Sequence, residues 1–157
     1  MIDEIDRKIL SILQDDARTS NAEIARRVGM VPSAILERIR KLESRGVLVG
    51  FEARVAPRKV GLGLTAFVFV RTDEPPGDHE SARALAALDG VLEVHHIAGE
   101  DCYLAKVVVH DAEGLGKFLR ERVGAIPSVT STRTTVVLET IRESASLPLG
   151  TEEAEDA

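Results

Sequence analysis

The stretch "VGMVPS" at residues 28–33 constrains this chain more than any other, because it stops one helical pattern and starts another almost at once. Upstream, "SNAEIARRVG" opens with Ser20 placed to cap the amide of Glu23 and Glu23 placed to reach back to Ser20, the spacing of a capping box. Ile24 and Val28 mark its buried face, Ala25 is small where two helices cross closely, and Gly29 suits the left-handed residue that ends a helix. Downstream, Pro32 is tolerated in a first turn, and Ile35, Ile39 and Leu42 form a second apolar stripe that Gly46 stops. A third stripe comes before both. Ile5, Ile9, Ile12 and Leu13 fall at i, i+4, i+7 and i+8, with Asp3, Glu4 and Asp6 in the first turn, where the helix dipole favours acids. Three helices with a very short turn between the last two make a helix-turn-helix.

Beyond Gly46 the period changes. "VLVGFEARVAP" reads as a strand or an extended linker, and "RKVGLG" as a boundary. Residues 64–72, "LTAFVFVRT", predict a strand, "EPPG" a loop and "DHESARALAALDG" a helix with Leu85 and Leu88 inward. "VLEVHHIA" and "CYLAKVVV" predict strands around the turn "GED". "DAEGLGKFLRERVG" predicts a helix carrying Leu115, Phe118 and Leu119, and "VTSTRTTVVLETI" a last strand. The order is βαββαβ, which gives one antiparallel sheet with both helices on one face. "AFVFV" and "AKVVV" are apolar on both sides, so the opposite face needs a cover, and a partner subunit is the simplest one.

Charge sharpens the division. The net charge is −6, which argues against a uniformly basic nucleic-acid binder, but residues 1–50 carry nine bases and eight acids. Glu152, Glu153, Glu155 and Asp156 make the C-terminus acidic, and residues 143–157 are expected to form a disordered tail. No window is long and apolar enough to span a membrane, the start is amphipathic rather than signal-like, and the single cysteine fits a reducing compartment. A soluble cytoplasmic protein is expected.

The basic residues of the first third fall where DNA requires them. The leading half of the third helix would present Ser33, Ala34, Glu37 and Arg38 to a major groove. Arg38, Lys41 and Arg45 lie on the face away from the core with Arg40 beside them, and Arg26 and Arg27 end the second helix near the turn, all placed to neutralise phosphates. The plainer reading is a three-helix bundle with a solvated basic face. The cap, turn glycine, proline and basic face in this order favour DNA.

Residues 95–103, "HHIAGEDCY", gather two histidines, two acids, the only cysteine and the only tyrosine. Adjacent histidines on a strand point to opposite faces, and a zinc site built on cysteine wants paired cysteines, so no metal is assigned. Cys102 could approach His96 across the hairpin as a thiol–imidazole pair, but a small half-buried cysteine is the plainer reading, and no catalytic residue is assigned. A ligand turn remains. Gly99 permits a tight hairpin, and Glu100 and Asp101, without a base nearby in sequence, could receive the ammonium of an amino acid. Tyr103 and the hydroxyls of Thr130, Thr132 and Thr134 complete the candidate pocket; good strand propensity on an exposed face is the alternative for the threonines.

Taken together, "IDEIDRKILSILQDDARTSNAEIARRVGM", "PSAILERIRKLESRGVL", "GLGLTAFVFV" and "AGEDCYLAKVVV" resemble the Lrp/AsnC (feast/famine) family of prokaryotic transcription regulators over roughly residues 2–140. The resemblance implies an α+β chain, a winged helix-turn-helix domain followed by a ferredoxin-like βαββαβ domain. It assigns residues 1–50 to DNA binding, 51–63 to a strand or linker, and 64–142 to effector binding and oligomerisation. It also implies homodimers paired through their sheets, often assembled into octamers, that bind double-stranded DNA and sense an amino acid between dimers, with no cofactor. Two positions depart from the family. Val31 stands where a capping Ser is frequent, which leaves Ser33 as a later cap, and Cys102 stands where a Gly-x-x-Asp pattern has its aspartate. Two rival readings stay open. Sirohaem decarboxylases resemble the family in both domains and use histidines, which His95 and His96 would supply; the other rival is a ligand-binding or oligomerisation module with a vestigial DNA domain.

Overall fold

The computed structural model describes residues 2–75 and 77–150. The chain divides into two units, Met1–Ala53 with Arg142–Ala157, and Arg54–Ile141. The last seven residues, with the four acids of the expected tail, lie outside the described residues.

The first unit holds α1 (Glu4–Asp15), α2 (Asn21–Val28) and α3 (Pro32–Ser44). Their apolar stripes meet in one core of Ile9, Leu13, Ile24, Ala25, Ile35 and Ile39. Each fully buried aliphatic side chain there contributes roughly 1.5–3 kcal/mol over leaving it exposed. Gly29 ends α2 with φ +73°, a left-handed conformation that lets the chain reverse into α3 within three residues. The caps differ in detail from the expectation. Ser20 does accept from the Glu23 amide (3.2 Å), but the Glu23 carboxylate turns to Arg26 and Arg27. A reciprocal capping box forms instead on α1, between Asp3 and Asp6. Helix α3 starts at Pro32 with Val31 as an N-cap that makes no side-chain bond, so Ser33 lies inside the first turn rather than capping a later start.

Two further expectations are corrected. Among the described residues no strand forms between Arg45 and Gly63: turns and bends follow α3 and a 3₁₀ turn spans Pro57–Val60, so the stretch is a linker and the helix-turn-helix shows no wing. Residues 142–150 are not a loose tail. Leu147 is gripped through its backbone by the Gln14 amide, donating to Oε1 (2.6 Å) and accepting from Nε2 (3.1 Å). Arg7 Nη1 donates to the Gly150 carbonyl (3.0 Å). Gln14 and Arg7 are two turns apart on α1, so the segment lies along one helix face.

The second unit runs β1 (Leu64–Thr72), α4 (Glu80–Ala86), β2 (Val91–His96), β3 (Tyr103–Val109), α5 (Ala112–Phe118) and β4 (Val129–Val136); a π-helical turn, Leu119–Val123, extends α5. All strand pairs are antiparallel in the order β2-β3-β1-β4. Ala66, Val68 and Val70 of β1 sit opposite Val107, Ala105 and Tyr103 of β3, and all six are buried with Leu85 of α4 and Leu115 and Phe118 of α5. Both helices therefore cover one face, as the βαββαβ order requires. The other face carries Thr65, Phe67, Phe69 and Arg71 from β1 with Leu104, Lys106 and Val108 from β3, opposite the side on which α4 and α5 pack. No helix among the described residues is long and apolar enough to cross a membrane.

Candidate functional site

Helix α3 buries Ile35, Ile39 and Leu42 and turns Ser33, Leu36, Glu37, Arg40 and Lys41 outward, with Ala34 half-buried. The outward set follows helical spacing through Ser33, Glu37, Arg40 and Lys41, so one ridge is open to a groove. Leu36 was missed by the sequence reading. Its signal is that it falls off the Ile35–Ile39–Leu42 stripe, and an exposed apolar side chain on such a ridge suits a thymine methyl.

The basic side chains are not equally available. Arg40 and Lys41 have no ion-pair partner among the described residues, whereas Arg45 is engaged. Arg26 and Arg27 both bind Glu23, with Arg26 Nε at 2.9 Å, Arg26 Nη2 at 2.7 Å and Arg27 Nε at 2.7 Å. These hydrogen bonds, Arg26 first and Arg27 second, hold the Glu23 carboxyl at about 2. Arg38 is placed differently from the expectation that it enters a groove. Its Nη1 lies 2.7 Å from Asp3 Oδ2 and 2.7 Å from Asp6 Oδ1, so it faces α1.

In the second unit the β2–β3 hairpin is closed by Ile97 N–H donating to the Cys102 carbonyl (3.0 Å), with Gly99 at φ +147°. The two hairpin acids are not left without bases. Arg71 Nε donates to the Glu100 carbonyl (3.0 Å), and its Nη2 lies 3.8 Å from the Glu100 carboxylate. Arg133 Nη2 donates to Asp101 Oδ2 (3.0 Å), and the same guanidinium lies over the Phe69 ring at 3.9 Å. The Asp101 side chain is only 15% exposed, so its pair with Arg133 is partly shielded from water. Both arginines escaped the sequence reading because they lie 29 and 32 residues away in the chain. The available signals were an arginine interrupting the threonine run of β4 and another on the outward positions of β1.

The remaining candidates separate. Gly99, Glu100 and Asp101 stay together with Arg71 and Arg133. Thr130 joins their margin, donating to the Arg71 carbonyl (3.2 Å). Thr132 and Thr134 sit opposite Val70 and Val68, on the helix-bearing side and away from Arg133, which sits opposite Phe69. Tyr103 also turns inward. It is buried, its hydroxyl donates to Glu74 Oε2 (3.3 Å) and meets His79 Nδ1 (3.1 Å), and burial followed by the Glu74 charge pushes its pKa up. Within one chain these three residues do not share the hairpin's pocket.

His95 and His96 take opposite faces. The His96 ring lies 5.1 Å from His79 and 5.4 Å from Tyr103, while His95 Nε2 meets Glu93 (3.2 Å) on the open face. Cys102 is also apart from His96, with its N–H on the Val70 carbonyl (2.9 Å) and its sulfur 3.8 Å from the Thr72 carbonyl.

Comparison with known proteins agrees with both halves of this description. Residues 2–43 match the AsnC-type helix-turn-helix domain, and residues 65–147 match the Lrp/AsnC ligand binding domain. The leucine-responsive regulatory protein of Escherichia coli is 36% identical over 152 residues, covering 96% of this chain and 93% of that protein. A transcriptional regulator from Neisseria meningitidis, solved in complex with L-methionine, superposes with a TM-score of 0.87 at 31% identity, over 95% of this chain and 97% of that one. The feast or famine regulatory protein of M. tuberculosis, also complexed with L-methionine, gives a TM-score of 0.87 at 34% identity, over 94% and 99% of the two chains. These relatives are regulators, and the decarboxylase alternative finds no support among them. The helix-turn-helix with its open α3 ridge, the β2-β3-β1-β4 sheet and these matches along nearly the whole chain place the protein in the Lrp/AsnC family of DNA-binding transcription regulators.

Proposed function

We propose that this regulator, acting as a homo-oligomer in the cytoplasm, reads double-stranded DNA with the outward ridge of α3 and senses an amino acid at the β2–β3 hairpin. The observation that carries the effector assignment is the pairing of Asp101 with Arg133 beside Arg71. A free α-amino acid is a zwitterion about as long as this pair. It can exchange the internal contact for two of its own, giving its ammonium to Asp101 and its carboxylate to Arg133 or Arg71. The L-methionine complexes of two structural neighbours support that ligand class.

On the DNA side, Arg40 and Lys41 neutralise phosphates while Ser33, Ala34, Leu36 and Glu37 meet base edges; Arg26, Arg27 and Arg45 supply further positive charge near the turn and the end of α3. The open sheet face pairs two copies into a dimer, and dimers assemble further. Arg133 stacks on Phe69 of that face, so a ligand that re-orients Arg133 changes the surface on which copies meet. This couples ligand to assembly, and assembly to the spacing of two α3 ridges. Regulation rather than catalysis is the reading, because the histidines that kept an enzyme open diverge to opposite faces.

A thermal-shift screen of the twenty amino acids tests the effector site. A true effector at a hundred times its Kd stabilises the protein by about 2.7 kcal/mol. Asp101→Asn and Arg133→Gln should each abolish that shift while leaving ligand-free DNA binding in place. Full-sized shifts in both variants, or no shift from any amino acid, would overturn the assignment.

A further inference from the structure

Arg38 lies on the recognition helix, yet its charge is already spent inside the domain. One guanidinium nitrogen, Nη1, touches two carboxylates at 2.7 Å each, Asp3 Oδ2 and Asp6 Oδ1. The remaining oxygens of those carboxylates are also occupied. Asp3 Oδ1 accepts from the Asp6 amide (2.7 Å), and Asp6 Oδ2 accepts from the Asp3 amide (3.3 Å). The N-terminal capping box of α1 and Arg38 of α3 thus form one closed network with no oxygen unused. Asp6 is buried and the Arg38 side chain is mostly covered, so the network is partly withdrawn from water. The Asp6 amide, and next the Arg38 guanidinium, hold the Asp3 carboxyl below the usual carboxylate range. One base with two acids leaves this corner a net negative charge, which attracts no phosphate.

We propose that Arg38 is a positioning residue, fastening α3 to the start of α1 and so setting the angle at which the recognition ridge is presented, and that it makes no phosphate contact of its own. The inference rests on the reading of α3 as the DNA-facing helix. It removes one positive charge from that surface and makes the start of α1 a determinant of DNA affinity.

The two roles separate in the salt dependence of binding, since each lost phosphate contact lowers the slope of log K against log salt by about 0.9. The probes are a labelled duplex from upstream of the protein's own gene and a random duplex of equal length, titrated by fluorescence anisotropy at several NaCl concentrations with full-length protein. Asp3→Asn is the cleanest variant, because Asn caps a helix as well as Asp does while withdrawing one of the two charges that hold Arg38. Asp3→Asn and Arg38→Gln should each weaken binding to the upstream duplex several-fold and leave the slope unchanged. If Arg38→Gln lowers the slope by about 0.9, or Asp3→Asn raises both affinity and slope by releasing Arg38 to the phosphates, the proposal is overturned. Circular dichroism checks that each variant is folded; should Arg38→Gln unfold, Asp3→Asn alone decides between the two roles. Wild-type protein that binds neither duplex at low salt overturns the DNA-binding reading beneath the proposal, a result distinct from any change of slope.

Discussion

A single carboxylate, Glu23, sets the charge that α2 offers near the turn. It accepts from Arg26 and Arg27 together, so the three side chains present one net positive charge rather than two. Because the folded protein holds this carboxyl at about 2 against an ordinary 4.5, the folded state binds its proton less readily than the unfolded chain does. The sign follows by linkage. The contribution to stability is fully present above the ordinary value and is lost as pH falls from there through about 2. The expected observation is a carboxyl carbon-13 titration of Glu23 with its midpoint near 2, well separated from unpaired glutamates. A midpoint with the other glutamates would mean that the two arginines are free in solution. Sequence spacing placed both arginines correctly on α2, but Glu23 was assigned to the helix cap. The cap and the arginines compete for one carboxylate, and two charge-assisted bonds outweigh one bond to a neutral amide.

Elements were the most legible level, because long apolar stripes and alternations survive any detail of packing. The three N-terminal helices and the βαββαβ order expected from periodicity are present. What failed was set by contacts distant in sequence. The stretch 47–57 has apolar residues at alternate positions but pairs with no strand among the described residues, so it does not become a wing. The segment 142–150 is polar enough to read as loose, yet Gln14 binds its backbone like a strand neighbour. The candidate pocket was half legible for the same reason. Gly99, Glu100 and Asp101 are contiguous, so the sequence alone brings them together. The side of the sheet taken by Thr132 and Thr134 depends on their pairing with Val70 and Val68 of a strand about sixty residues earlier, which no local pattern signals. One element carries an uncorrected defect. Val31 caps α3 without a side-chain acceptor, and it is 61% exposed, so it buries little in return. Val31→Ser should therefore stabilise the protein by about 1 kcal/mol. In urea unfolding this reads as a higher midpoint at constant m. An unchanged or lower midpoint would show that the Val31 side chain has a packing role.

At the scale of the whole molecule, the sheet has one face too few covered. The helix-bearing face is sealed, whereas Phe67, Phe69 and Leu104 on the other face stay partly exposed, beside a buried Val108. The alternation of "AFVFV" and "AKVVV" already required a second cover. A half-buried aromatic and aliphatic face of this kind, with Lys106 and Glu93 set among it and Arg133 on the outer strand, suits a symmetric partner surface, and a second copy supplies one without any further gene product. Phe69 is the most informative position because it lies between two functions. Its ring supports the Arg133 guanidinium that holds Asp101, and it lies on the sheet face opposite α4 and α5. Phe69→Glu puts a charge onto that face, and desolvating it on association costs several kcal/mol, enough to outweigh the contacts of one ring. In sedimentation velocity, the wild type should run as a dimer or larger and Phe69→Glu should move to the monomer. DNA affinity should fall as well, since two linked recognition helices bind far more tightly than either alone. Phe67→Glu should dissociate the protein while leaving the Arg133–Asp101 pair in place. It therefore separates loss of assembly from damage to the ligand hairpin. A Phe69→Glu protein that sediments like the wild type would mean that the two copies meet elsewhere and that the open face serves another partner.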